Sequence, residues 1–309
     1  MNQDRYIVAD IGGTNSRLAL GSSSGLIKTS IRRYRNDDFN DFQAVLHSFL
    51  TGNRPENLIG GCVAVAGPVS NGFARLTNRP WSFDRKAILQ ATGAGFIQLV
   101  NDMSALGHTA PLLKSTQVTT WRDVKHKKPN GQSLVIGLGT GVNVSARVGN
   151  NVLAGEVGHS GLTLRMAALL SEALNTEIDP SKTVEDFLSG RGFEALYTSI
   201  SGNTLYGADI CKAAGTHQDQ DAVKTSTLYA ALAGEFLREM AVHYLPMNGI
   251  FLAGSVARGI FETPSKNHVV ETLCADRPML ETLREIPVSL ITDDAAALIG
   301  CLEIAKVAT

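Results

Sequence analysis

Apolar and polar positions along the chain fall into short runs of two kinds. Tyr6-Ile7-Val8-Ala9-Asp10 is rich in β-forming residues, and Arg17-Leu18-Ala19-Leu20 repeats the signal after a glycine-rich turn. Two strands joined so closely predict an antiparallel hairpin. Phe39, Phe42, Val45, Leu46 and Phe49 recur at helical spacing and predict a helix over 39–50. Residues 58–66 read as a strand ended by Gly67-Pro68, residues 83–91 as a helix begun by Ser82, and residues 95–100 as a strand ending at Asn101-Asp102. A second unit begins near Ser133. Leu134-Val135-Ile136 is a strand, Gly137-Leu138-Gly139-Thr140-Gly141 a glycine-rich turn, and residues 142–146 a returning strand. Helical spacing dominates 166–174, 184–188, 193–197 and 222–244, and residues 249–253 return to strand. The last element, 293–305, reads as a helix with Asp293 or Asp294 placed to cap it.

Strands alternating with helices predict the α/β class. The two glycine hairpins, about 125 residues apart by the periodicity of the pattern, suggest two related half-units. Both combine accessible backbone N–H groups with a Thr hydroxyl, which is what phosphate oxygens need. Glycine is in surplus: there are 30, against about 22 expected at average usage. No low-complexity linker separates two halves, and 309 residues suggest roughly two domains.

Charge sharpens this picture mainly by exclusion. Lys and Arg total 28 and Asp and Glu 29, a formal net charge of −1, so no general basic excess points to nucleic acid. The one dense basic stretch, Lys125 to Lys128, sits beside Pro129, Asn130 and Gly131 and reads as a solvated loop. The start of the chain lacks the basic and apolar regions of a signal peptide, and no run approaches the ~20 apolar residues of a membrane span. Cys62, Cys211, Cys274 and Cys301 form no CxxC pair, so they read as buried, reduced thiols of a cytoplasmic protein.

The chemistry-bearing residues lie at strand ends and in glycine turns. There is no GxxxxGK[ST] loop, no GxGxxG opening a helix, and no protein-kinase motif set. Asp10 points into the first glycine turn, where a carboxylate either meets phosphate through Mg²⁺ or bonds turn N–H groups. Asp102 ends a strand, where it either accepts a hydroxyl proton in phosphoryl transfer or caps the next helix. Gly155-Glu156-Val157-Gly158-His159 sets a carboxylate and an imidazole in one loop, groups that grip sugar hydroxyls; a structural histidine is the alternative. Glu185 reads by default as an exposed helical Glu. The strand breaking at Gly254-Ser255 is either a ligand-accommodating turn or an ordinary strand–helix turn.

Taken in order, the segments Asp10 to Leu20, Ala66-Gly67-Pro68, Leu76-Thr77-Asn78, Trp81, Val100-Asn101-Asp102, Gly139-Thr140-Gly141, Gly155 to His159, Glu185 with Leu188-Ser189-Gly190, and Leu252-Ala253-Gly254 resemble the bacterial glucokinase family. That family lies within the actin-like, ribonuclease H-like sugar kinase superfamily. The resemblance implies a two-domain α/β fold with a ligand cleft between domains. The smaller domain would be 1–109 plus 293–309, the larger 110–292, and the C-terminal helix would pack back onto the N-terminal domain. It implies ATP-dependent phosphorylation of glucose at its 6-hydroxyl, with ATP and Mg²⁺ as cofactors. Asp102 would be the general base. Asn101, Glu156, His159 and Glu185 would bind the sugar. Asp10, Gly12, Gly13, Thr14 and Asn15 from one turn, and Gly139, Thr140 and Gly141 from the other, would hold the phosphates. Asp10 would reach Mg²⁺ through water, and Gly254 would lie near the adenosine. Partners would be glucose or a related hexose, without nucleic acid or membrane; dimers are common among relatives. A kinase for another hexose or an amino sugar, and a catalytically weak sugar-binding regulator, are the alternatives. Three positions depart from the family pattern: Asn143 stands where Gly is frequent, Val157 replaces the middle glycine of GEGGH, and Ser255 replaces the second glycine of the adenosine turn. Asn143 and Val157 are expected to reshape the sugar site, and Ser255 the nucleotide site.

Overall fold

In the computed structural model, which describes residues 4–53, 55, 57–125 and 128–308, the chain divides into two units, 1–113 with 293–309, and 114–292. Met1 to Gln3, and His126 and Lys127 of the basic stretch, lie outside the described residues. The first strand, β1 (Arg5–Ile11), is buried on both faces. Its near-continuous apolar run is what a strand covered on both sides requires.

In the first unit β1 is followed by β2 (Asn15–Ser22), β3 (Gly25–Leu26), β4 (Arg32–Arg35), α1 (Phe42–Asn53), β5 (Leu58–Val65), β6 (Val69–Ser70), β7 (Phe73–Arg75), β8 (Ser82–Asp84), α2 (Arg85–Thr92), β9 (Ile97–Asn101) and α3 (Asp102–Thr109). The main sheet runs β3-β2-β1-β5-β9, with β4 also on β2. β1 pairs antiparallel with β2 and parallel with β5, which is parallel to β9. β6, β7 and β8 make a small antiparallel sheet that the sequence pattern did not predict. Three short strands, two or three residues each, carry too few positions for an alternation signal.

The second unit contains β10 (Val118–Arg122), β11 (Gln132–Leu138), β12 (Val142–Val148), β13 (Asn151–Leu153), α4 (Leu164–Leu174), α5 (Val184–Leu188), α6 (Gly190–Ser201), α7 (Gly207–Gly215), α8 (Gln220–Tyr244), β14 (Ile250–Ala253), α9 (Ser255–Phe261), α10 (Lys266–Leu273), α11 (Leu280–Leu283) and β15 (Val288–Ile291). Its sheet runs β10-β15-β14-β11-β12-β13. Here too an antiparallel hairpin, β11–β12, adjoins parallel neighbours, β14 and β15. The two units therefore repeat one plan: hairpin first, parallel strands beyond it. The chain returns to the first unit as α12 (Ala296–Val307).

Side-chain alternation sorts the first unit's core into two layers. Ile7, Ala9 and Ile11 pack with Phe42, Val45, Leu46 and Phe49 of α1. Tyr6 and Val8 pack on the other face with Leu298, Cys301 and Leu302 of α12. The C-terminal helix thus covers the first sheet. The Thr109 hydroxyl donates to the Ala296 carbonyl (2.8 Å), and the Cys301 thiol lies 3.4 Å from the Ala9 carbonyl. α12 also sets the position of α3, because Gly300 rests directly on the Ala105 carbonyl.

Several boundaries differ from the sequence reading, and hydrogen bonding explains each. α2 begins at Arg85, because Ser82 belongs to a strand and Asp84 supplies the capping oxygen, to the Lys86 N–H. α1 begins at Phe42, since Asp41 accepts from Ala44 N–H and the preceding residues form a short turn of helix over Asn36–Asp38. Neither Asp293 nor Asp294 caps α12: Asp293 accepts from the Ala295 N–H in a turn before the helix. All four cysteines are free; Cys62 and Cys301 are buried as expected, whereas Cys211 and Cys274 are only half-buried. No helix among the described residues is long and apolar enough to cross a membrane.

A Cβ at position 300 would stand 1.8 Å from the Ala105 carbonyl oxygen. Gly300→Ala is therefore expected to push α12 off α3 and cost about 1–3 kcal/mol, the usual range for overpacking. Urea unfolding measures this, and an unchanged midpoint would show that the helix pair yields freely.

Candidate active site

The turn between β1 and β2 is tight: the Gly12 N–H donates to the Asn15 carbonyl at 3.0 Å. Its carbonyl side is fully occupied by residues that arrive from elsewhere. The Asn36 side-chain amide donates to the carbonyls of Gly12 (2.8 Å) and Gly13 (3.1 Å), and the Asn36 N–H donates to Thr14 (2.9 Å). Arg79 adds a bond to the Gly13 carbonyl and pairs with Asp37. Ser16 Oγ in turn donates to Asn36 Oδ1 (2.7 Å), and both side chains are buried. With the carbonyls held on that side, the N–H groups of Gly13 and Thr14 have no protein acceptor among the described residues. Unspent N–H groups on a glycine turn form an anion-binding nest. The Asn15 side-chain oxygen accepts from Arg33 at 3.2 Å.

Asp10 and Arg17 are directly opposed on β1 and β2, and Arg17 donates to Asp10 Oδ2 at 3.3 Å. Arg17 also lies 3.9 Å from Asp294. Asp10 therefore bonds an arginine side chain, and among the described residues no turn N–H donates to its carboxylate. Burial pushes the Asp10 carboxyl above its ordinary range; Arg17 pulls it down without cancelling that effect, and Asp294 adds to the rise. Ionised Asp10 is under-compensated, and an added cation would relieve it. Among the described residues no three His, Cys, Asp or Glu side chains form a metal-binding group. Mg²⁺ typically takes one or two carboxylates and completes its shell with water and phosphate. Asp10 fits that demand.

Asn101 ends β9 and caps α3. Its Oδ1 accepts from the Met103 N–H (2.9 Å), and its amide donates to the Gly67 carbonyl (3.1 Å). The helix cap foreseen as the alternative role for Asp102 thus belongs mainly to Asn101. Asp102 is the first residue of α3, with Oδ1 2.9 Å from the Met103 N–H. Its place outside the carboxyl end of parallel β9 is where open α/β sheets bind ligands.

The second turn, between β11 and β12, is built the same way. The Gly139 N–H donates to Gly141, and the Gly139 carbonyl accepts from Gly190 at the start of α6 (2.7 Å). The N–H groups of Thr140 and Gly141 have no acceptor among the described residues. Gly254, with φ of 103°, lies against Leu138 and Gly139 at the end of β14. Ser255 begins α9 beside it, its N–H nitrogen 3.7 Å from where a Gly139 Cβ would stand.

The first two residues of β12 hold both candidate sugar carboxylates. The Val142 N–H donates to Glu185 Oε2 (2.9 Å), and the Asn143 amide donates to Glu156 Oε2 (3.0 Å). The other Glu185 oxygen lies 3.8 Å from Arg191, and the Glu185 side chain is 23% exposed. Glu185 is thus more enclosed than a solvent-facing helical Glu. The loop carrying Glu156 and His159 is tied to α5 by the Val184 N–H, which donates to the Ser160 carbonyl (3.0 Å). His159 is exposed at the end of the short helical turn Val157–His159. Gly158 presses on β12, since a Cβ there would meet the Val142 carbonyl oxygen at 2.0 Å. Val157 turns inward and packs against the second unit's core, so of the two departures expected to reshape the sugar site, only Asn143 faces Glu156.

In the second unit, then, Gly139, Thr140, Gly141, Glu156, Glu185 and Gly254 gather around the start of β12. In the first, Asp10, Gly12, Gly13 and Thr14 share the β1–β2 turn, and Asn101 and Asp102 share the β9–α3 corner. Sequence reading overlooked Asn36, Arg79 and Arg17. Arg17 carried a signal, since a charged residue opposite Asp10 follows from the hairpin register. Asn36 and Arg79 carried none, being 24 and 66 residues from the carbonyls they hold.

An α/β unit repeated twice, each with a glycine turn between the strands of its antiparallel hairpin, is the two-domain plan of the actin-like sugar kinases. Residues 7–308 match the family described as Glucokinase. The chain is 31% identical to a glucokinase of Nitrobacter hamburgensis over 95% of each sequence. Its structure is similar to that of a glucokinase from an Antarctic psychrotroph, with a TM-score of 0.78, 25% identity, and coverage of 98% of this chain and 99% of that one. It also shares the fold of a ROK family glucokinase from Streptomyces griseus, in complex with glucose and AMPPNP, at TM-score 0.66 and 17% identity over 98% and 99% of the chains. The chain belongs to the glucokinase family.

Two outcomes test the site as built. Asn36→Ala removes the side-chain bonds to the Gly12 and Gly13 carbonyls and leaves the Ser16 hydroxyl without its acceptor, and is expected to cost about 1–3 kcal/mol in urea unfolding and to weaken nucleotide binding. Asp10→Asn is expected to raise the melting temperature of the ligand-free protein at pH 7. The sign follows from linkage: a carboxyl whose folded value is raised is ionised at a cost above that value, and regains stability as pH falls toward its ordinary 3.8. The advantage of Asn should therefore shrink as pH is lowered from 7 toward 4, and an advantage that grows with acid would refute it.

Proposed function

We propose that the protein transfers the γ-phosphoryl group of ATP to the 6-hydroxyl of glucose, in the cytoplasm, with Asp102 as general base. One observation carries this reading. Val142 and Asn143, the residues that leave the second glycine turn, fasten Glu185 and Glu156. A turn suited to phosphate and carboxylates suited to hydroxyls are thereby made in one piece, as transfer of phosphoryl to a polyol requires. The complex of the Streptomyces griseus glucokinase with glucose and AMPPNP supports the same pairing of ligands.

In this reading the N–H groups of Gly13, Thr14, Thr140 and Gly141 bind phosphate oxygens, with Gly12 and Gly139 shaping the turns and Gly254 bordering the adenosine. Glu156, His159 and Glu185 bind sugar hydroxyls, and Asn101 braces the corner that presents Asp102. Asp102 takes the hydroxyl proton as that oxygen bonds to the γ-phosphorus and the bridging bond breaks to release ADP. Asp10 would hold Mg²⁺ when it is bound, and the ion would supply charge neutralisation on the nucleotide. Most of the rate then comes from positioning and fixed dipoles.

A coupled ADP-release assay across a hexose panel with Mg·ATP is expected to show turnover highest on glucose. Preference for another hexose or an amino sugar would change the substrate, and sugar binding without any ADP release would indicate a regulator. Asp102→Asn is expected to keep glucose affinity in calorimetry and to lose about 10²–10⁴-fold in turnover, the usual contribution of a general base. Near-normal turnover would remove Asp102 from that role.

A further inference from the structure

Asn143 is the second residue of β12, directly opposite Gly137 of β11, which has no side chain to crowd it. Its amide is oriented without ambiguity. Oδ1 accepts from two backbone N–H groups, Val144 at 2.8 Å and Val157 at 3.2 Å. Backbone N–H groups only donate, so the oxygen must face them and the NH₂ must face the other way. That NH₂ meets Glu156 Oε2 at 3.0 Å. Glu156 makes no other side-chain hydrogen bond among the described residues, and it is exposed.

The consequence for Glu156 is specific. An exposed glutamate ordinarily samples many rotamers, and ordering it on ligand binding costs free energy. Here the Val157 bond fixes the backbone just after Glu156, and the amide bond fixes one carboxylate oxygen. Oε1 is left as the acceptor. A carboxylate held this way accepts a hydroxyl without first being ordered, and it rejects a ligand with no hydroxyl to offer. Glycine at position 143 would provide neither bond.

We propose that Asn143 is a positioning and specificity-determining residue for the polyol substrate, acting through Glu156. This rests on the sugar-binding reading of Glu156 given above. It assigns Asn143 to the sugar and not to the nucleotide, although it stands two residues from Gly141.

Two variants separate the bonds. Asn143→Asp retains an oxygen for the Val144 and Val157 N–H groups but replaces the donor facing Glu156 with an acceptor. Asn143→Gly removes all three bonds. The primary readout is the glucose dissociation constant from titration calorimetry on the full chain, with nucleotide affinity and melting temperature measured alongside. Asn143→Asp is expected to weaken glucose binding about tenfold or more, as loss of a hydrogen bond to a charged group does. Its nucleotide affinity and melting temperature should stay close to wild type. In turnover, hexose KM should rise with little change in kcat, and the preference for glucose over its deoxy analogues should shrink. Glucose affinity within about twofold of wild type in Asn143→Asp would overturn the proposal. So would equal losses in glucose affinity, nucleotide affinity and melting temperature, which would make Asn143 a general support of the strand. Because binding is read directly, failure of the kinase reading shows separately, as wild-type protein that binds glucose and releases no ADP. Wild-type protein that binds no glucose would refute both.

Discussion

A backbone N–H can face a ligand only if the carbonyl on the other side of its turn has somewhere else to go. Both glycine turns meet this constraint with hydrogen bonds from distant parts of the chain. In the first, Asn36 and Arg79 take the carbonyls of Gly12, Gly13 and Thr14; in the second, Gly190 takes that of Gly139. Buried or half-buried carbonyls without partners would cost free energy each. With the Gly12, Gly13 and Gly139 carbonyls satisfied, the peptides that carry the Gly13, Thr14 and Thr140 N–H groups cannot flip cheaply. The buried Ser16–Asn36 bond and the Asp37–Arg79 pair are the outer ring of the same arrangement.

The second constraint is close approach. Gly158 brings the loop of Glu156 and His159 against the Val142 carbonyl, and Gly300 brings α12 against α3. The first contact sets where Glu156 and His159 stand relative to the Gly139–Gly141 turn. The second steadies the helix that begins with Asp102. The glycine surplus is thus spent partly on turns that expose N–H groups and partly on surfaces where a methyl group has no room.

Electrostatics distinguishes the candidate carboxylates of the two units. Asp10 sits in a desolvated position with one arginine that only partly compensates it. Glu185 and Glu156 are each engaged by neutral donors of β12 and are the more accessible groups. The first carboxylate is under-compensated as it stands; the other two each keep one oxygen bonded to a neutral donor. The near-zero net charge is compatible with both, because backbone dipoles can attract an anion without a basic surface.

How much of this was readable beforehand depends on the range of the interaction. The hairpins, the long helix α8, the glycine turns and the strand-end Asp102 follow from local pattern, because side-chain period and turn chemistry act within a few residues. Helix starts were misplaced where one capping oxygen decided them, as at Asp84 and Asp41. The three-stranded sheet was too short to show a period. What the linear chain alone determined is which segments curl, extend or turn, and which carboxylates stand at their ends. What only the tertiary structure decided is which of those groups are held and by what: Asn36 on the first turn, Val142 on Glu185, Asn143 on Glu156, and Val157 turned into the core. Those contacts join residues whose separation along the chain carries no signal, and they form only when packing brings the elements together.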